Sequence, residues 1–267
     1  MSNLAKAALL GVIQGVTEFL PVSSTAHLLI SERVLGFNDP GGIFTTMIQL
    51  GSILAVVWLY REKVIDVLTG MFTRADARQF AIKIVLATVP LLLVGALFAG
   101  YIRGVLYGRI GVMAGTFIVG GIVMLVAERL RPRPDVFDVD SLPMGRAIVV
   151  GAFQALAVVP GVSRSGGTIV AAMLMKVDRA AAAEFTFFLA MPAMAAAFVH
   201  DLVGARHELA SARGLEVAIG FVMAFIASAA VIKPFLNYVR RSGFGPFAWY
   251  RIVLGLALVI AVVSGWM

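Results

Sequence analysis

An all-α polytopic membrane protein is predicted, with six transmembrane helices, two re-entrant helix–loop–helix segments and an inverted-topology repeat. Three observations predict it. The 267-residue chain is 60% hydrophobic and only 14% charged, with a mean hydropathy of +0.95, whereas soluble domains carry about 25% charged residues. Its uncharged apolar runs match the bilayer in length. Two further stretches are interrupted by Pro, Gly and Ser where a spanning helix would continue. The absence of cysteine excludes a disulfide-stapled fold. The net charge of +7 does not point to nucleic acid, because the basic residues lie in short loops between apolar runs and form no basic face.

The six spans are expected at Ile43–Tyr60, Ile84–Ile102, Ile110–Ala127, Phe185–His200, Val217–Ile232 and Ile252–Met267, runs of 16 to 19 residues before flanking turns. Four other runs are short or broken: Ala7–Thr17 and Phe19–Ser31 around Glu18 and Pro21, then Ala147–Ser163 with Pro160-Gly161, and Ser165–Met175. Paired apolar halves meeting at such breaks read as re-entrant segments. Gln14 and Glu18 interrupt the first run, so no cleaved signal peptide is expected there.

Lys and Arg in short loops orient the chain. With residues 61–80 cytoplasmic, 14 basic residues (Lys83 among them) fall inside and 6 outside (Arg103, Arg206 and Arg213 among them), so both termini are expected outside. Arg251, expected one turn into the last span, reads as snorkelling to the cytoplasmic interface.

The two breaks resemble each other. Gly11-Val-Ile-Gln14 matches Gly151-Ala-Phe-Gln154, and Val22-Ser-Ser-Thr25 matches Val162-Ser-Arg-Ser165, both at an offset of 140. A single membrane domain of two halves, 1–130 and 145–267, follows. Each half holds one re-entrant pair and three spans, and the odd number of spans inverts the second half. Inverted repeats put a site at the midplane, where broken helices meet.

Two clusters carry the chemistry. In the first, Gln14 and Glu18 share a helix face, Pro21 breaks the chain, Ser23 or Ser24 is suited to cap the next half-helix, and Thr25 and His27 follow. Carboxylate, hydroxyl and imidazole are expected to converge, and ionisable groups inside a membrane are functional by default. In the second, Pro160-Gly-Val-Ser163-Arg164-Ser165-Gly166-Gly167-Thr168 reads as an anion cradle. Small residues admit close backbone approach, a helix N-terminus offers free N–H groups, and Arg164 adds a fork of donors. Alternatively, Arg164 tethers a carboxylate such as Glu18. The favoured ligand is a compact polyanion, a phosphate or pyrophosphate. Gln49, and Glu184 at the start of the fourth span, are weaker candidates. His200, Asp201 and His207 read as solvated surface near an outer end.

Gln14-x-x-x-Glu18 with Pro-Val-Ser-Ser-Thr-x-His27, then Pro160-Gly-x-Ser-Arg-Ser-Gly-x-Thr168, resembles the undecaprenyl-diphosphatases of the bacitracin-resistance type. Ile48-Gln49-Leu50-Gly51 and Ala183-Glu184-Phe185 are similar to that family's flanking segments, so the likeness covers essentially the whole chain. Ala26 stands where the family often has Gly. The resemblance implies a bacterial plasma-membrane hydrolase with a site open to the outer face. It would convert undecaprenyl pyrophosphate to the monophosphate, recycling the lipid carrier of peptidoglycan synthesis. It also implies a divalent cation, Mg²⁺ or Ca²⁺. Residue by residue, Glu18 with Gln14 would bind the metal, and Arg164 with Ser163, Ser165, Gly166 and Thr168 would hold the phosphates, joined by Ser23 and Thr25. Ser24 would attack while His27 takes its proton; in a variant His27 is itself the nucleophile. The lipid substrate and membrane lipids are the expected partners, with a homodimer possible. A competing reading is an inverted-repeat carrier of a lipid phosphate.

Overall fold

In a computed structural model, which describes residues 1–39, 42–106, 109–205 and 214–265, the described residues form eleven α-helices. They are α1 (Asn3–Thr17), α2 (Ser24–Leu35), α3 (Ile43–Leu59), α4 (Arg61–Gly70), α5 (Ala75–Val105), α6 (Ile110–Leu130), α7 (Met144–Gln154), α8 (Arg164–Leu174), α9 (Arg179–Ala205), α10 (Gly214–Ser242) and α11 (Gly245–Val263). Among these, α5, α6, α9, α10 and α11 are long and apolar enough to cross a membrane, and a sixth crossing arises if α3 and α4, bent by 79° at Tyr60, count together. Arg206, His207, Arg213 and Met267, assigned from sequence to outer loops or the last span, lie outside the described residues, as do the side chains of Arg103, His200 and Asp201.

Local chemistry sets the boundaries. Gly36, at φ 59°, closes α2 through N–H bonds from Gly36 and Phe37 back to Arg33 O and Glu32 O. The Asp39 carboxylate accepts from Phe44 N and Thr45 N, satisfying two free amides at the start of α3. Pro246 in the first turn of α11 supplies a preset φ where no N–H partner is needed.

α5, α9, α10 and α11 begin earlier than the apolar runs suggested, whereas α3 and α6 begin where expected. Charged residues in the first turns of α5 continue the helix without being apolar, so it starts at Ala75. Lys83 is therefore buried within it, donating to Val139 O and Asp140 O, and is not a loop cation. Glu184 likewise lies in the second turn of α9 and hydrogen-bonds Tyr60. α11 shifts too, starting at Gly245 rather than at Ile252.

Packing pairs distant segments. α1 lies on α10 and α7 on α5, while α3 packs on α9 and α6 on α11. Two glycines at the 140 offset set the closest approaches of one helix backbone to another. A Cβ on Gly11 would sit 2.3 Å from Gly220 O in α10, and one on Gly151 would sit 1.9 Å from Ala87 O in α5. Only hydrogen fits at either position. The core gathers α8, α9 and neighbouring faces, including Ile169, Phe185, Phe187 and Phe244.

Candidate functional site

Two helix breaks form the centre of the molecule. The first runs from Glu18 to Ser23 between α1 and α2. The second follows α7 through a 3-10 turn, Ala155–Val158, and passes Pro160 and Gly161 to Ser163 before α8. Gly161 has φ +88°, and a Cβ there would lie 2.1 Å from Thr116 Oγ1. Ser23 and Ser163, 140 residues apart, both hold positive φ, 68° and 70°. Such backbone is costly for a residue with a side chain and clusters at functional sites. Ser163 Oγ accepts from Gly166 N as a helix cap, whereas Ser23 makes no side-chain cap.

The breaks enclose a chamber of about 240 Å³ lined by Glu18, Ser23, Ser24, Thr25, Gln49, Ser163, Arg164 and Ser165, with Leu91, Val158, Met194 and Ala197 as apolar wall. Most of the residues singled out from sequence meet here. Gln49, a weaker candidate in an apolar run, is among them.

Glu18 is the hub. Its Oε1 accepts from Arg164 Nη2 at 2.5 Å, and its Oε2 accepts from Ser24 Oγ at 2.6 Å and from Gln14 Nε2 at 2.8 Å. The tether between Arg164 and Glu18, the alternative reading of this arginine, is thus present, yet it uses only part of the guanidinium. Arg164 Nη1 is buried without a partner. A buried donor without an acceptor is expensive, and a charged one more so. In a chamber lined by hydroxyls it is the group an incoming anion would meet.

Three residues sit elsewhere. His27 does not line the chamber. Its Nδ1 is 2.8 Å from Ser23 O, its Nε2 is 2.7 Å from Tyr250 Oη, and its ring stacks on Tyr250 at 5.7 Å. A carbonyl only accepts, so Nδ1 carries the proton, and in the neutral ring Nε2 accepts from the Tyr250 hydroxyl. The expected His27–Ser24 contact is absent because Ser24, the first residue of α2, turns back to Glu18 while His27 faces α11. Thr168, expected at the ligand, spends its hydroxyl on Arg164 O, Ser165 O and Thr186 Oγ1. Gly166, also expected there, turns its N–H to Ser163 Oγ. Both support α8 from behind the chamber. Ser165, though lining it, also donates to Leu20 O and so joins the breaks directly.

A hard cation takes oxygen ligands, and Mg²⁺ commonly uses one or two carboxylates with phosphate oxygens completing its shell. Because Gln14 must point Nε2 at the Glu18 carboxylate, its Oε1 is left buried with no donor. An orphaned amide oxygen beside a carboxylate suits such an ion. Among the described residues no group of three or more His, Asp or Glu could hold a metal, so phosphate or water would supply the other ligands.

Sequence reasoning missed Arg251. It does not snorkel. It is 1% exposed, and its guanidinium donates to Pro21 O in the first break, to Gly161 O in the second and to Thr116 O in α6. Reading the last helix from its apolar run put this residue at the membrane interface. With α11 starting at Gly245 it lies nearly two turns in.

Fold and site define a multi-pass helical membrane protein with a buried carboxylate–hydroxyl–guanidinium chamber at paired helix breaks. The chain belongs to the bacitracin resistance protein BacA family, which matches residues 7–257. It is 44% identical over 264 residues to undecaprenyl-diphosphatase 1 of Agrobacterium fabrum, covering 98% of each chain. It is 42% identical to undecaprenyl-diphosphatase of Paracoccus denitrificans and 45% identical to that of Bradyrhizobium sp. strain BTAi1, with 99% of each chain covered.

Proposed function

We propose that this protein is a bacterial inner-membrane hydrolase that cleaves undecaprenyl pyrophosphate to undecaprenyl phosphate and inorganic phosphate. That reaction returns the lipid carrier to peptidoglycan synthesis and underlies bacitracin resistance. The observation carrying it is the unpartnered Arg164 Nη1 beside the Ser24–Glu18 pair, in a chain so similar to proteins named for this hydrolysis.

The terminal phosphate enters the chamber and its oxygens take up Arg164 Nη1, which is already aimed and desolvated; such preorganised charge counts most in the transition state. Ser24 Oγ attacks the terminal phosphorus, passing its proton to Glu18, the acceptor it already contacts at 2.6 Å. The bond from phosphorus to the bridging oxygen breaks, Glu18 passes its proton to that oxygen, and undecaprenyl phosphate leaves. Glu18, ionised again, takes a proton from water, which attacks the phosphoserine; the bond from phosphorus to Ser24 Oγ breaks, Glu18 returns the proton to that oxygen, and inorganic phosphate leaves. Glu18 and Gln14 would hold the Mg²⁺ or Ca²⁺, whose charge offsets that of the phosphate oxygens. His27 holds the Ser23 turn from outside the chamber, and Ser23, Thr25, Ser163 and Ser165 form its polar wall.

The topology within this reading is an inverted repeat of residues 1–130 and 145–267, with α1–α2 and α7–α8 as re-entrant pairs. Its support is the paired packing of α1 on α10 and α7 on α5, the matching approaches of Gly11 and Gly151, and the matching backbones of Ser23 and Ser163. The bias of basic residues orients both termini outward, with the chamber reached from the outer face.

The test is phosphate release from farnesyl pyrophosphate by detergent-purified protein, wild type beside Ser24→Ala and Arg164→Ala. Release by wild type that is lost in both variants is expected. Tight lipid-pyrophosphate binding by folded wild type without release would sink the hydrolase and leave the carrier.

A further inference from the structure

Arg251 has no carboxylate among its hydrogen-bond partners: it donates only to the carbonyls of Pro21, Thr116 and Gly161, at 2.9 to 3.3 Å, and lies 5.2 Å over the Phe117 ring. A cation buried without a counter-charge is costly inside a membrane, and an apolar side chain of similar volume would fill the space at less cost. Its surroundings are shaped for it. A Cβ on Gly120 would come within 2.2 Å of Nη2, and Thr116 Oγ1 reaches on to Pro160 O at 2.9 Å. One planar fork therefore spans two chain breaks that are 140 residues apart in sequence, just behind Ser23–Ser24 and Ser163–Arg164.

We propose that Arg251 is a positioning residue for the phosphate-transfer site. By tying Pro21 O to Gly161 O it sets the separation of the two tips, and hence the reach of Ser24 and of Arg164 to one phosphate. Its unpaired charge adds to the field that an anionic ligand meets. Only a planar, multiply donating, permanently charged group can do both; lysine, a point charge, cannot span the carbonyls. The activity arm of this inference rests on the hydrolytic reading above.

Two variants test it: Arg251→Lys keeps the charge and loses the fork, and Gly120→Ala keeps the arginine and pushes its fork aside. A misplacement near 1 Å costs on the order of 100-fold in rate, so kcat on farnesyl pyrophosphate should fall by roughly that factor in both. KM should move by less than about threefold, with a preserved thermal unfolding transition. In an Arg164→Lys background, Arg251→Lys should cost less than about tenfold more, since the two act through one contact. The native chain has no cysteine, so nitroxides on Val34→Cys, at the far end of α2, and Leu156→Cys, in the 3-10 turn of the second break, report how rigidly α2 is held against that break without any turnover. A narrow distance distribution that broadens in Arg251→Lys is expected. An unchanged distribution, or losses fully multiplicative with Arg164→Lys, would overturn the positioning role. Wild type that shows no turnover while the distribution still broadens would sink the hydrolase and leave the clamp standing.

Discussion

Ser24 and Arg164 occupy the same place in two different helices and reach the same carboxylate. Each is the first residue after a break, 140 residues apart; Ser24 Oγ meets Glu18 Oε2 at 2.6 Å and Arg164 Nη2 meets Oε1 at 2.5 Å. The two matching tip motifs present a hydroxyl on one side and a guanidinium on the other. The carboxylate has no counterpart, because Val158 stands at its offset position. Gln154, matching Gln14, is left buried with both amide atoms unpartnered. The first break carries the hydroxyl and its acceptor; the second carries the cation.

That division ranks the site variants. Ser24→Ala should lose at least about 10³-fold in kcat, because the attacking atom is gone. Arg164→Lys should lose roughly 10²-fold, retaining charge but not the second donor. Steady-state phosphate release from farnesyl pyrophosphate reads both, and a Ser24→Ala enzyme with near-wild-type kcat would remove the phosphoserine step.

Chelation should abolish turnover, with Mg²⁺ or Ca²⁺ restoring it. Gln14→Leu deletes the orphaned oxygen beside Glu18 and should raise the cation concentration for half-activity by about 10-fold, within the range seen when a ligand's support is removed. Titrating activity against free cation measures this. An unmoved midpoint would take Gln14 out of the metal site.

Tyr250→Phe keeps the stacked ring and deletes the hydroxyl on His27 Nε2. His27 Nδ1 still holds Ser23 O, so kcat should fall only about 10-fold or less. His27→Ala frees the positive-φ Ser23 turn and should cost far more. Comparing both kcat values checks whether His27 works through that turn.

Gly11→Ala and Gly151→Ala force a methyl into backbone carbonyls and should each destabilise by about 1–3 kcal/mol, the usual range for overpacking. Gly115→Ala, where a Cβ meets nothing within 4 Å, should instead be neutral or stabilise by about 0.5–1 kcal/mol through helix entropy. Thermal unfolding in detergent gives the order. Equal shifts for all three would discount the close approaches.

Much of this was legible without coordinates. Composition and run length set a helical membrane protein, since lipid leaves backbone groups no other partners. Pro21 and Pro160-Gly161 marked the breaks, and a carboxylate and an arginine in apolar surroundings marked the chemistry. Chain-distant contacts were not legible. A one-dimensional run cannot say that helix α11 begins at Gly245 or that Arg251 turns inward to three carbonyls, because polar satisfaction of a buried guanidinium depends on segments 90 to 230 residues away. Nor could spacing decide that Ser24 pairs with Glu18 while His27 pairs with Tyr250. The sequence determined which groups are present and that the membrane makes them expensive; the tertiary structure decided which of them meet, because only packing fixes where each proton and each charge can be shared.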